Sequence, residues 1–270
     1  LGTRVARLPF IIHTSYPHEI LHNWWGNGVY VNYRRGNWSE GLTAYLADHL
    51  LRELGGLGED YRRNAMQKYR SYVTSADEYP LRHFVGKHGE ASQAIGYGKG
   101  LMFFHMLRHR LGDEVFLKGL RLFFVEHKFE RAGYDELRAA FEHVSGQDLT
   151  LMFHQWVDET GAPVLTLDAV EVREVDTGFR IEARLRQTQP GIPYVLDVPI
   201  VVQTESETHE VSLRMETDVL EFSLNLDTRP YTLLIDPRFD VFRRLDSSEF
   251  PANLDELLGA KRSLAVIPGD

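Results

Sequence analysis

Tyr16-Pro17-His18-Glu19-Ile20-Leu21-His22-Asn23-Trp24-Trp25-Gly26-Asn27 decides how the first half of this 270-residue chain folds. Pro17 suits a first helical turn, because its φ is fixed and its missing N–H has no partner to lose there. The spacing predicts a helix from Tyr16 to about Trp25. On such a helix His18 and His22 lie one turn apart on one face. Two imidazoles so placed can hold one metal ion from the same side, and zinc suits neutral imidazole nitrogens. Glu19 lies about 100° round the helix, within reach of a water at such an ion. In a chain with 12 histidines the bare H-E-x-x-H pattern also arises by chance, and satisfied core histidines are the plainer alternative. Ile20, Leu21, Trp24 and Trp25, however, make the helix apolar over most of its girth and predict its burial. Two histidines and a glutamate in a buried helix need partners to offset desolvation, and a metal ion supplies one.

A third ligand is expected from a second helix packed alongside. Asn37-Trp38-Ser39-Glu40-Gly41 opens the next predicted helix, 39–54, with Ser39 as a cap and Glu40 in the first turn, where the helix dipole favours a carboxylate. Without the upstream histidines, Glu40 would be an ordinary first-turn acid. Further helices are expected over 59–74, 92–111, 113–127, 134–144 and 149–158, with Gly112 as a stop and Asp113 as a new cap. After Gly161-Ala162-Pro163 the apolar period changes to two. Phe179, Ile181, Ala183 and Leu185 alternate with charged residues, as do Val211, Leu213 and Met215, and Leu220, Phe222, Leu224 and Leu226. With 195–204 and 231–235 this gives six or seven short strands, a small antiparallel sandwich. The expected organisation is α+β in two domains. A helical part spans 1–160 and a β-sandwich 161–245. The tail 246–270 reads as the start of a further domain, around Ser263–Ile267.

Composition narrows the function. Lysine and arginine number 30 against 39 acids, a net charge of −9, which disfavours a nucleic-acid partner. The chain has no cysteine, so disulfides, thiolate catalysis and cysteine-bound zinc are excluded. No apolar run approaches the ~20 residues of a membrane span. The first residue is Leu1, and the chain is expected to be a piece of a longer protein.

The stretch His18–Asn27 followed by Trp38-Ser39-Glu40-Gly41 resembles the aminopeptidase N-like zinc metallopeptidases, the gluzincins, of thermolysin-like catalytic fold. Tyr97-Gly98-Lys99-Gly100 is similar to that family's Tyr-x-Lys-Gly element. Met106-Leu107-Arg108, Leu111–Phe116, Trp156 with Gly161-Ala162-Pro163, and Asp236-Pro237 match further along, so the resemblance covers about residues 8–245. It implies that Glu40 is the third zinc ligand beside His18 and His22, with one zinc per chain. It implies that Tyr97 assists the transition state, that Glu19 is the general base, and that a peptide is the substrate. On base rates alone Tyr97 would be a core tyrosine.

Three departures stand out. Seventeen residues separate His22 from Glu40, where the family has eighteen, and the shortening is assigned to the loop around Gly36-Asn37. The family's acid seven residues after the ligand glutamate is here Ala47, with Asp48 next to it as a substitute orienting group. The family's Gly-x-Met-Glu-Asn element, which grips the substrate amine, has no counterpart, and the native N-terminal domain is expected to be missing. This chain alone is therefore expected to be weakly active or inactive. Lys99 is read as structural, Asn37-Trp38-Ser39 as a chance sequon, and His105, His109 and His127 as solvated. The function expected is zinc-dependent peptide-bond hydrolysis, as an aminopeptidase in the full-length protein. The alternative is a catalytically impaired, zinc-stabilised interaction module on the same fold.

Overall fold

The structure, a computed structural model, describes residues 11–250. Helix α1 covers Ser15–Leu21 and stops four residues short of Trp25. Asn23 is the cause. Its side-chain amide donates to the Ile20 carbonyl at 2.8 Å, a local bond that competes with helix continuation. The chain then forms the short strand β1, Trp25–Gly26, which pairs in parallel with β2, Val29–Val31. The expected burial of α1 is not found. Leu21 packs on the core and Trp25 is buried beyond the helix, but Tyr16, Ile20 and Trp24 are exposed. They follow one another at four-residue spacing, so one side of α1 is apolar, and nothing among the described residues covers it.

Helix α2 runs over 38–54 and contains a π-helical segment, Ala44–His49. Helix α3 is Gly58–Tyr72. Helix α4 runs over 90–111, with a second π segment at Ala94–Lys99. Helix α5 is Asp113–His127, and β3, Arg131–Ala132, joins the edge of β2. Helix α6 is Tyr134–Ser145, and α7, over 150–158, ends in a third π segment, His154–Asp158. Two expected caps fail. The Ser39 hydroxyl donates to the Trp25 carbonyl at 2.6 Å instead of capping α2. The Asp113 carboxylate is taken by Arg108 at 2.7 and 3.1 Å. Gly112 does end α4, at φ +79°.

Six antiparallel strands follow: β4 Leu165–Val175, β5 Gly178–Gln187, β6 Leu196–Thr204, β7 Thr208–Met215, β8 Val219–Leu226 and β9 Pro230–Ile235. They form two three-stranded sheets, in the orders β4-β5-β8 and β7-β6-β9. Strand β4 escapes the alternation rule because a bulge between Leu167 and Ala169 resets its phase on a sheet edge. The apolar core is continuous from Trp38, Phe103 and Phe123 through Trp156 to Val198 and Phe242.

Two features aim the elements at one another. A Cβ on Gly41 would lie 2.9 Å from the Cα of Gly100, so α2 and α4 cross backbone against backbone. That close crossing sets Glu40 and Tyr97 at one end of the helix pair, facing α1. At the other end of the π segment Lys99 is buried and donates to the Glu159 and Gly161 carbonyls at 3.0 and 3.3 Å, the structural role expected of it. Burial lowers its pKa to about 8. Asn37 is buried too and donates to the Val85 carbonyl at 3.0 Å, so the sequon is not presented to solvent. Asp246 caps a 3-10 turn at Ser247–Glu249. The expectation of a further domain around Ser263–Ile267 lies outside the described residues.

Candidate active site

Three ligand-type atoms converge where α1 meets α2. The Nε2 atoms of His18 and His22 lie 3.3 and 3.4 Å from the same Glu40 oxygen, Oε2. Ligands of a tetrahedral zinc at ~2.0–2.1 Å are separated by about 3.3–3.4 Å, so these spacings fit one ion. The outer nitrogens are both engaged. His18 Nδ1 donates to Asp48 Oδ2 at 3.0 Å, and His22 Nδ1 donates to the Trp25 carbonyl at 2.8 Å. With Nδ1 held on each ring, it is Nε2 that faces Glu40 on both, and in the neutral rings its lone pair would be free for a metal ion. Gly26 makes this fit possible. Its φ is +120°, and a Cβ there would lie 3.0 Å from Ser39 Oγ and 3.5 Å from His22 Nδ1.

Asp48 stands eight residues after Glu40, one more than two α-helical turns take up. The π segment Ala44–His49 absorbs the extra residue, because a turn closed by an i→i+5 bond is wider. The second π segment carries Tyr97 into the site, where its ring lies over His18 at 6.1 Å between centroids.

Charges are unbalanced here. Glu40 and Asp48 have no lysine or arginine partner among the described residues. Desolvation disfavours charge on His18, but its bonds to Asp48 and Glu40 outweigh that and raise its pKa to about 9. His22 is also raised, against its own desolvation, mainly by Glu40. Burial works against the Glu40 carboxylate, yet the two histidines and Tyr97 hold it at about 2. Burial, then the Glu40 charge, pushes the Tyr97 hydroxyl well above an ordinary phenol, so it stays a donor. Glu19 is exposed on α1, near enough to Tyr97 to add to that effect. The cluster holds protons where a dication would serve as well.

A second polar cluster escaped the sequence. His105, expected to be solvated, is fully buried, with Nε2 3.0 Å from Asp240 Oδ1. Arg62, also buried, reaches the same oxygen at 3.1 Å and donates to His49 Nε2 at 2.9 Å. Asp236, in the Asp236-Pro237 element, accepts from the Asp240 amide at 2.7 Å and from Arg243 at 3.0 Å. A signal for His105 was present: it lies four residues after Leu101 and next to Phe104, on the apolar side of α4. His109 is exposed, as expected of a solvated residue.

The fold and this convergence define a gluzincin-type architecture, the helical part of the catalytic domain followed by antiparallel sheets. The family model for the peptidase family M1 domain matches residues 12–156, more than half of the chain, and the chain belongs to that family. Among curated relatives, aminopeptidase N of Lactococcus lactis subsp. lactis is 26% identical over 253 residues, covering 78% of this chain and 30% of its own length. Aminopeptidase N of Escherichia coli (strain K12) is 30% identical over 156 residues, 56% of this chain and 18% of the relative. The chain thus spans less than a third of these relatives. The crystal structure of Legionella pneumophila aminopeptidase A in complex with aspartic acid shares the fold, with a TM-score of 0.66 at 20% identity over 90% of this chain and 27% of that one. No helix among the described residues is long and apolar enough to cross a membrane.

Proposed function

We propose that this chain carries the metal-binding and bond-breaking groups of a zinc-dependent peptidase, an aminopeptidase in its full-length form. The observation that carries the reading is the convergence of His18 Nε2 and His22 Nε2 on Glu40 Oε2, with both outer ring nitrogens held. Zinc held by these three residues would supply a water of pKa lowered toward ~7 and a Lewis acid for the scissile carbonyl oxygen. Glu19, exposed and free to accept, takes the proton of the attacking water at its carboxylate. As the new C–O bond forms, the Tyr97 hydroxyl donates to the negative charge growing on the carbonyl oxygen. When the C–N bond breaks, Glu19 returns the proton to the leaving amine. Asp48 and the Trp25 carbonyl keep the imidazoles oriented throughout. A bare interaction module needs neither Glu19 nor Tyr97.

Metal analysis tests the reading. The metal-stripped chain reloaded with zinc should retain about one equivalent after dialysis, and Glu40→Ala should retain far less. Undiminished zinc in Glu40→Ala would remove Glu40 from the site.

A further inference from the structure

Helix α2 reaches both histidines of the site, and it does so from either side of Glu40. Asp48, eight residues on, holds His18 Nδ1 at 3.0 Å. Ser39, one residue back, is the counterpart toward His22. It is buried, and its hydroxyl donates to the Trp25 carbonyl at 2.6 Å. The same carbonyl accepts from His22 Nδ1 at 2.8 Å. Ser39 Oγ itself lies 3.2 Å from that nitrogen. Having given its one proton to the carbonyl, the hydroxyl turns lone pairs toward Nδ1. His22 Nδ1 thus faces two acceptors, and Nε2 is left toward Glu40. Helix capping does not account for the hydroxyl, since α2 begins without a side-chain cap bond.

We propose that Ser39 is a positioning residue, which fixes the His22 ring against Glu40 through the Trp25 carbonyl; this rests on the zinc reading above. The chain between the two ligands is long. From His22 to Glu40 it passes 17 residues, through β1, β2 and the 3-10 turn Tyr33–Arg35. A path of that length leaves many relative placements open. Ser39 closes it with one hydrogen bond, made at the residue next to Glu40. Gly26 leaves the space for it, since a Cβ there would lie 3.0 Å from Ser39 Oγ. Ser39 and Asp48 are therefore a pair: one helix carries a ligand and the supports of both other ligands. Asp48 acts on His18 by charge, and Ser39 acts on His22 by geometry alone.

The test compares Ser39→Ala with Thr43→Val in the full-length protein. Both remove a buried hydroxyl from α2, but that of Thr43 has no hydrogen-bond partner among the described residues. Competition with a chelator reads zinc affinity, and the visible absorption of the cobalt-loaded protein reads the geometry of the ligands. Ser39→Ala should bind zinc about tenfold more weakly, at the low end for a supporting partner because the Trp25 carbonyl remains on Nδ1. Its cobalt band should shift. Thr43→Val should keep the cobalt band and stay within about twofold of the unsubstituted protein in zinc affinity. An unchanged affinity and cobalt band in Ser39→Ala overturns the proposal and leaves the zinc reading intact. So does an equal loss in Thr43→Val, which would trace the effect to a loosened helix. An unsubstituted protein that holds no zinc overturns both.

Discussion

Among the described residues two helices carry a His-x-x-x-His pair beside a carboxylate, and they differ in what stands against that carboxylate. In α1 the pair is His18 and His22, with Glu40; in α4 it is His105 and His109, with Asp240. The difference is in the countercharge. Around α1 the carboxylates Glu40 and Asp48 meet only imidazoles, and His18 and His22 are driven toward the protonated form. Around α4 the Arg62 guanidinium already lies against Asp240, and His105 is held at about 4, chiefly by burial. An arginine is built into the second cluster, whereas in the first only imidazoles face the carboxylates. Counting ligand-type residues does not separate the two; asking what neutralises the carboxylate does.

Four measurements sharpen or break that contrast. The largest effect is expected at Glu19, which belongs to the α1 cluster yet donates nothing to the metal. In the full-length protein Glu19→Gln should keep one zinc per chain and lower peptide hydrolysis by ~10²–10⁴-fold. Turnover unaffected by this change would reduce α1 to a binding element.

Arg62→Met should do the opposite, sparing zinc and costing stability. It leaves Asp240 beside His105 with only the more exposed Arg238, at 3.5 Å, as a guanidinium partner, and removing one side of a buried pair costs up to ~3–5 kcal/mol. Denaturant unfolding measures the loss. A variant that also lost its zinc would show that the two clusters are one unit.

Asp48→Asn tests how far the first cluster depends on its outer partners. The amide can still accept from His18 Nδ1 but lacks the charge, and zinc affinity should fall by ~10–100-fold. Competition with a chromogenic chelator gives the number.

The fourth measurement is a slope. His49 and His105 titrate at about 3 and about 4 in the fold, against 6.5 when unfolded. Burial is the first cause for both, with Arg62 adding to it. Above pH 6.5 these two histidines are neutral in both states and cost the fold nothing. As pH falls from 6.5 toward 4 the unfolded chain takes up protons that the native one refuses. Stability then drops by ~1.4 kcal/mol per pH unit for each histidine. His105→Gln should flatten the slope by about half of that pair's share. An unchanged slope would place the titration elsewhere.

Much of this was legible in the linear chain. Asp113–His127 stands where the apolar spacing and Gly112 put it, and the change of period after Pro163 marks where helices give way to strands. Local rules govern those features, since a helix or strand buries one face and so writes its period into the sequence. The meeting of His18 and His22 with Glu40 was legible for a related reason: one helical turn sets the two histidines, and the start of the next helix sets the glutamate. The rest depended on what lies far away in sequence. Asp48 reaches His18 only because α2 takes a π turn, and no local period announces one extra residue in a long helix. The exposed side of α1 follows from what does and does not pack on it, which the residues of α1 do not encode. His105 was misjudged because its neighbours Arg108 and His109 are polar; Asp240 and Arg62, 135 and 43 positions away, make its burial tolerable. The sequence by itself determined the elements and the spacing of the His18–His22 pair, because both are short-range. Only the tertiary structure decided which carboxylate meets an arginine and which meets imidazoles alone, because charge compensation is settled by whichever segments the fold brings within a few ångströms.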